Sequence, residues 1–213
     1  MWDSLSLPWQ KSFEQGWIAY QSGSVPIGAV LTDGTGHICS IGRSRSNEQS
    51  SDDPRHIHGN LLSHAEVNAL LSFDDSQYDS HECLLYTTVE PCPMCIGAIC
   101  MARIKKIMYA ARDPYAGSID LLDANGYLRA KGISSEGPMV GDLENIVIGI
   151  QVDFFLRAKR RSLHPLMNAW EKVLPRGVEL GKELFRSNIL LVMGDRGASA
   201  RDVYDSIQAL PNN

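Results

Sequence analysis

Two short strings constrain this chain more than anything else in it: Ser63-His64-Ala65-Glu66 and, further along, Pro91-Cys92-Pro93-Met94-Cys95. Proline suits the first turn of a helix, so Pro93 marks a helix start, and a Cys-x-x-Cys spacing there turns both sulfurs toward one spot. The exposed N–H groups and positive dipole end of such a start favour thiolates. Zinc takes soft and borderline ligands of this kind. His64, Cys92 and Cys95 make three protein ligands, which leaves a fourth position for water, as catalytic rather than structural zinc sites do. Two thiolates offset the charge of the metal, so the bound water needs a nearby base. Glu66 supplies one: two residues after His64, it leans over the same cavity from a different azimuth of the helix without being a ligand itself.

Periodicity predicts a helix over Leu7 to Tyr20, stopped by Ser22-Gly23-Ser24, then a β-hairpin of Pro26 to Leu31 and His37 to Gly42 around Thr32-Asp33-Gly34-Thr35-Gly36. Arg43 to Asn60 is polar and aperiodic, a long loop of the kind that often covers a site. Helical spacing resumes from Leu61 to Phe73 and carries His64 near its start. Cys83 to Val89 reads as a strand, Pro93 to Ala102 as a helix, Ile104 to Ala110 as a strand, and Asn145 to Ile150 as a late strand after a glycine-rich stretch. Phe154 to Trp170 reads as helix, interrupted at Pro165. From Val178 come a helical piece, the apolar run Ile189 to Met193 and an amphipathic stretch from Ala198 to Leu210. Strands alternating with helices after an opening hairpin indicate an α/β protein with a mixed sheet covered on both faces.

The H-x-E and P-C-x-x-C strings together resemble the zinc-dependent cytidine deaminase superfamily, in which a metal-bound hydroxide attacks an aromatic amidine carbon and the glutamate serves as acid and base. The likeness is strongest to the branch of tRNA adenosine deaminases and bacterial guanine deaminases. Pro26-Ile27-Gly28-Ala29-Val30, His64-Ala65-Glu66-Val67-Asn68-Ala69-Leu70, Leu85 through Cys95 and Ile96-Gly97-Ala98-Ile99 all carry it, in order, over roughly residues 6 to 155. The resemblance implies a three-layer α/β/α sandwich with a central mixed five-stranded sheet, a zinc cofactor and a homodimer. It also implies that Asn47 hydrogen-bonds the substrate, that Ala65 offers its backbone N–H to the base, that the Pro91 carbonyl faces the leaving amine, and that Asp113 contacts the base. The chain departs from the family where Gly59-Asn60-Leu61-Leu62-Ser63 replaces an Asp-Pro-Thr-type run before the histidine. On this basis residues 1–157 are expected to form the deaminase domain and residues 158–213 a helical extension.

Composition bears on the substrate. A formal net charge of -5 over 213 residues is not the electropositive body expected of a protein that grips a long nucleic acid. A free base, nucleoside or related aminated heterocycle is therefore the favoured substrate, and a tRNA wobble adenosine deaminase the alternative. A binding module that kept the fold and lost activity is disfavoured by the intact Glu66 and ligand trio. The bland reading of the trio is a structural zinc site completed by His56, His58, Cys39, Cys83 or Cys100. Cys83 and Cys100 read instead as small core residues, His56 and His58 as exposed loop residues, and the tryptophans as packing residues. Arg157, Lys159, Arg160 and Arg161 read as a solvated helix face. Five cysteines crowded toward one region argue against a disulfide framework. With Trp2, Asp3 and Ser4 after Met1, and no apolar run of about 18 residues, no secretory leader and no membrane span are expected, and the cytoplasm is the expected compartment.

Overall fold

The computed structural model describes residues 1–139, 141–158 and 164–210. Among them five strands form one mixed sheet in the order β2-β1-β3-β4-β5. These are β1 (Gly28–Thr32), β2 (Ile38–Arg43), β3 (Leu84–Val89), β4 (Lys106–Ala111) and β5 (Ser134–Glu136). β1 is antiparallel to both β2 and β3, while β3, β4 and β5 run parallel. The helices are α1 (Leu7–Gln21), α2 (Ala65–Ser72), α3 (Pro93–Ala102), α4 (Gly126–Arg129), α5 (Leu143–Ala158), α6 (His164–Val173), α7 (Pro175–Ser187), α8 (Ile189–Asp195) and α9 (Ala200–Gln208).

Strand alternation divides the core into two layers. Leu85 and Ile107 point to the side where Ala65 and Ala69 of α2 and Ile96 and Ile99 of α3 are buried. Tyr86, Met108 and Ala110 point the other way, against Trp9, Phe13 and Trp17 of α1 and the apolar face of α5. The result is the expected α/β/α sandwich. All four tryptophans are buried, as packing residues should be. The helices after residue 164 share the α1/α5 core: Trp170, Leu184, Leu190 and Val203 are buried in it. No helix of the described residues is long and apolar enough to cross a membrane.

The run Asn145 to Ile150 is not a strand. It lies inside α5, and Ile146 to Asp153 are buried on every side. A continuous apolar run fits a buried helix as well as a buried strand, and here α7 covers the face that the sheet leaves open. The fifth strand is Ser134–Glu136, polar and exposed, defined by its pairing with Lys106 to Met108. No apolar alternation announces a strand whose side chains both face water. The second helix starts later than its spacing suggests: Leu61 and Leu62 are exposed, and His64 caps α2 from outside. Asn60 takes the N–H of Leu62 on its side-chain oxygen, and Ser63 returns its hydroxyl to the Asn60 carbonyl, so local side chains compete with helix at these positions.

Glycines set the distance between α5 and α7. A Cβ on Gly181 would stand 2.4 Å from the Val152 Cβ and 2.6 Å from the Gly149 carbonyl oxygen, and one on Gly149 would stand 2.9 Å from the Leu180 side chain. Beside this crossing, the buried Asp153 accepts a 2.5 Å hydrogen bond from the Tyr20 hydroxyl and a two-pronged ion pair from Arg157. Burial pushes the Tyr20 hydroxyl above its ordinary range, with the Asp153 bond adding to the effect. Arg157 is thus an ion-pair partner rather than part of a free basic face; Lys159, Arg160 and Arg161 lie outside the described residues.

Gly181→Val is expected to cost about 1–3 kcal/mol of stability by forcing the two helices apart, and to lower the thermal midpoint. Gly194→Ala in α8, where the nearest atom to a new Cβ is the Trp17 ring at 3.9 Å, is expected to leave stability unchanged or raise it by up to about 1 kcal/mol. Calorimetric melts of the two variants make the comparison, and an unaffected Gly181→Val would refute the packing argument.

Candidate functional site

Two helix starts meet at one end of the sheet. His64 is the N-cap of α2, and Cys92, which follows the carboxyl end of β3, is the N-cap of α3 with Pro93 inside its first turn. α2 is held close to β2 at Gly42, where a Cβ would lie 2.3 Å from both the Ala65 carbonyl oxygen and the Ala69 nitrogen. This approach carries His64 to the cysteines. Nδ1 of His64 is 3.6 Å from Cys92 Sγ and 3.4 Å from Cys95 Sγ, and the two sulfurs are 3.6 Å apart. Among the described residues no other His, Cys, Asp or Glu joins that group. The donor set is therefore open on one side, with one imidazole nitrogen and two sulfurs, a combination that fits zinc well.

The protonation pattern follows from the crowding. The hydrogen bond from the Cys95 thiol pulls Cys92 down to about 4, with His64 assisting against the cost of burial. Cys95 is pushed far above the usual thiol range, first by its hydrogen bond with Cys92 and then by burial. His64 is raised, chiefly by its bond to the Cys92 sulfur. Cysteine ligands bind as thiolates, so a metal entering this site displaces the Cys95 proton.

Glu66 is on the first turn of α2, 3% exposed, and burial raises its carboxyl above the ordinary range. One of its oxygens is 3.4 Å from Cys95 Sγ, and the other accepts a 3.0 Å hydrogen bond from the Thr87 hydroxyl. Thr87 was not singled out by sequence, although parity with Leu85 along β3 places it on the α2 side of the sheet. A fully buried threonine at that position has Glu66 to hold.

The remaining sequence-predicted positions divide. Ala65 is the first residue of α2, so its N–H has no acceptor within the helix. Asp113 follows the carboxyl end of β4, the parallel neighbour of β3, and ligands in such sheets commonly bind beyond those ends. Burial raises its carboxyl, against the N–H bonds of Tyr115 and Ala116 and the approach of the Trp170 indole, and the charge on Cys92 raises it further. The indole nitrogen makes no bond of good geometry, so its hold on Asp113 is a loose one. The Pro91 carbonyl accepts the N–H of Ser118 at 3.0 Å. Asn47 is directed elsewhere: its amide donates to the Gly23 carbonyl at 2.6 Å and its N–H to the Ser24 hydroxyl at 3.0 Å, both in the turn after α1.

Two further residues hold the loops around the trio. Glu90 accepts the N–H groups of Asp113 and Ile119, tying the loop after β4 to the β3–α3 turn, and Gly117 packs so tightly that a Cβ would lie 2.4 Å from its carboxyl carbon. Asn68, buried on α2, bonds both backbone groups of Ile57 and the Arg43 carbonyl. It pins the long loop, which is also braced by the buried Arg45 guanidinium against Glu48 and Asp52. His56 and His58 are consequently half-buried rather than exposed. Cys83 and Cys100 are buried, as expected of core residues.

Residues 8–111 match the sequence model of the family described as cytidine and deoxycytidylate deaminase zinc-binding region. The chain is 32% identical over 152 residues to the tRNA-specific adenosine deaminase of Bacillus subtilis, covering 68% of this chain and 85% of that protein. It is 41% identical over 88 residues to the guanine deaminase of Bacillus subtilis, covering 40% of this chain and 50% of that protein. It is also 40% identical over 98 residues to the tRNA(Ile)-lysidine synthase of Deinococcus radiodurans, covering 45% of this chain but spanning only 15% of that protein. A solved chain from biochemical and structural studies of A-to-I editing by tRNA:A34 deaminases superposes with a TM-score of 0.50 at 25% identity, covering 61% of this chain and 96% of that one. The chain belongs to the cytidine and deoxycytidylate deaminase zinc-binding family, and its sheet and flanking helices are those of the cytidine deaminase-like fold.

Proposed function

We propose that this protein is a zinc-dependent hydrolytic deaminase that releases ammonia from an amino-bearing ring carbon of a nucleobase, nucleoside or related heterocycle. The observation that carries the reading is the placement of the buried Glu66 carboxylate beside an open trio of His64, Cys92 and Cys95. Zinc held by that trio supplies Lewis acidity that makes a water nucleophilic. Glu66 takes one proton of the attacking water and passes it to the ring nitrogen, then takes the second from the newly added hydroxyl and gives it to the departing amine as the carbonyl forms. Water adds its oxygen to the ring carbon and ammonia leaves, so no other reactant is required. Thr87 holds Glu66 in place by its hydroxyl. Ala65 is assigned to the base through its free N–H, Pro91 to the leaving amine, and Asp113 to the base; Asn47 is assigned to substrate on condition that its amide leaves Gly23.

The alternative substrate is the wobble adenosine of a tRNA, supported by the similarity to the Bacillus subtilis tRNA-specific adenosine deaminase over most of that protein's length. The acidic net charge and the similarity to a guanine deaminase support the small-molecule reading. We further propose a cytoplasmic homodimer in which residues 1–157 carry the chemistry and residues 158–213 form a helical extension that reaches Asp113 through Trp170.

Glu66→Gln is expected to keep zinc and lose ammonia release, and Cys95→Ser to lose both; turnover by Glu66→Gln would refute its role as proton carrier. Thr87→Val is expected to keep zinc and lower kcat about tenfold or more, in line with a hydrogen bond to a charged group. Because that bond favours the carboxylate, its loss is expected to move the acid limb of the kcat profile to higher pH. Ammonia release measured across aminated purines, pyrimidines and triazines, their nucleosides, and an anticodon stem-loop decides the substrate. Faster turnover of a free base or nucleoside supports the favoured reading, and faster turnover of the stem-loop replaces it with the tRNA one.

A further inference from the structure

Glu90 follows the last residue of β3 and stands immediately before the Pro91-Cys92 pair. It is half-buried there. Its own N–H bonds the Ala111 carbonyl at 2.8 Å and so continues the pairing of β3 with β4. Beyond that junction its side chain reaches the loop after β4. Oε2 accepts the Asp113 N–H at 3.2 Å, and Oε1 accepts the Ile119 N–H at 3.3 Å.

The loop between those two anchors is folded around the carboxylate. Asp113 Oδ1 accepts the N–H groups of Tyr115 at 3.0 Å and Ala116 at 3.2 Å, and the Asp113 carbonyl accepts that of Gly117 at 2.8 Å. Gly117 leaves no room for a side chain, since a Cβ there would lie 2.4 Å from the Glu90 carboxyl carbon and 2.6 Å from its Oε2. One residue further, the Ser118 N–H bonds the Pro91 carbonyl at 3.0 Å. The loop is thus fastened to the two successive residues before Cys92. Arg112, the cation of the same loop, pairs with Glu144 at 2.8 Å instead of with Glu90. Both groups that Glu90 holds are donors. A carboxylate meets them with two acceptor oxygens, whereas an amide of the same length would turn its NH2 toward one of them.

We propose that Glu90 is a positioning residue for base recognition, fixing Asp113 relative to the turn that carries Cys92 and Cys95. The inference rests on the deaminase reading above and on the assignment of Asp113 to the base. Two N–H groups occupy Asp113 Oδ1, so Asp113 meets the base through Oδ2. The place of that oxygen follows the backbone that Glu90 holds, because one of its two bonds is to the N–H of Asp113 itself. Cys92 and Cys95 do not need the loop to stay in place: Cys92 caps α3, and its carbonyl accepts the Ile96 N–H at 3.0 Å within the helix start. Glu90 therefore acts on substrate binding and not on the metal. A contact that holds the base alike in the ground and transition states is read in KM and leaves kcat in place.

The test is steady-state kinetics of the full-length, zinc-loaded protein, with zinc content measured beside it. The substrate is whichever of the aminated purines, pyrimidines and triazines, their nucleosides or the anticodon stem-loop the wild type deaminates fastest. Glu90→Gln is expected to keep zinc and to raise KM about tenfold or more with kcat within about threefold, the size of loss that a hydrogen bond to a charged group carries. Gly117→Ala, which keeps the charge and displaces the carboxylate by contact, is expected to do the same. In an Asp113→Ala background, Glu90→Gln is expected to raise KM no further, whereas a residue that merely supports the fold would add its full effect there. An unchanged KM in both single variants, loss of zinc from them, a fall in kcat alone, or additive effects with Asp113→Ala would overturn the proposal and leave the deaminase reading standing. No ammonia release by the zinc-loaded wild type from any of these compounds would overturn that reading, and this inference with it.

Discussion

The site depends on two helix N-termini meeting at one point. An α2 capped by His64 and an α3 capped by Cys92 each present unpaired N–H groups and the positive end of a dipole, and between them they stabilise negative charge on sulfur. Such a meeting requires α2 to ride close on the sheet. Gly42 allows it, because any side chain there would strike the α2 backbone. β1 and β3, side by side beneath the helix, then bring Thr87 under Glu66. A single close approach thus sets the position of the histidine, the glutamate and the residue that holds the glutamate.

What surrounds that point is held by polar side chains that span long stretches of sequence. Glu90 binds the loop after β4 through backbone N–H groups, and Asn68 binds the loop after β2 in the same manner. The buried Asn68 amide and the half-buried Glu90 carboxylate satisfy backbone groups that no secondary structure reaches, and leaving such groups unpaired costs about 1–3 kcal/mol each when they are buried. The long loop is ordered for that reason rather than by regular structure. Arg43 and Arg45, both paired with Glu48, add a charge network at its base.

The carboxyl-terminal helices join the same assembly through glycine. Gly177 and Gly181 on α7 face the α5 stretch around Ile148 to Val152 at distances where larger residues do not fit. This contact encloses α5 between a sheet and a helix, and it places α6 so that Trp170 lies beside Asp113. Asp113, which is assigned to the substrate base, therefore lies beside a part of the chain that carries no motif of its own.

By itself the sequence determined the donor chemistry and the local elements: His64, Glu66, Cys92 and Cys95, the helix start at Pro93, the opening helix and hairpin, and the buried tryptophans. Residue identity and short spacing carry that information, because a ligand type and a helix period are properties of neighbouring residues. The tertiary structure alone decided that Asn145 to Ile150 is helix, since only the packing of α7 makes all its faces interior. It decided that polar Ser134–Glu136 is a strand, since pairing with β4 rather than burial defines it. It also turned the Asn47 amide to Gly23, set Thr87 beneath Glu66 and brought Trp170 to Asp113. Each of these is a contact between residues far apart in the chain, and no local pattern records such a contact until the layers have packed.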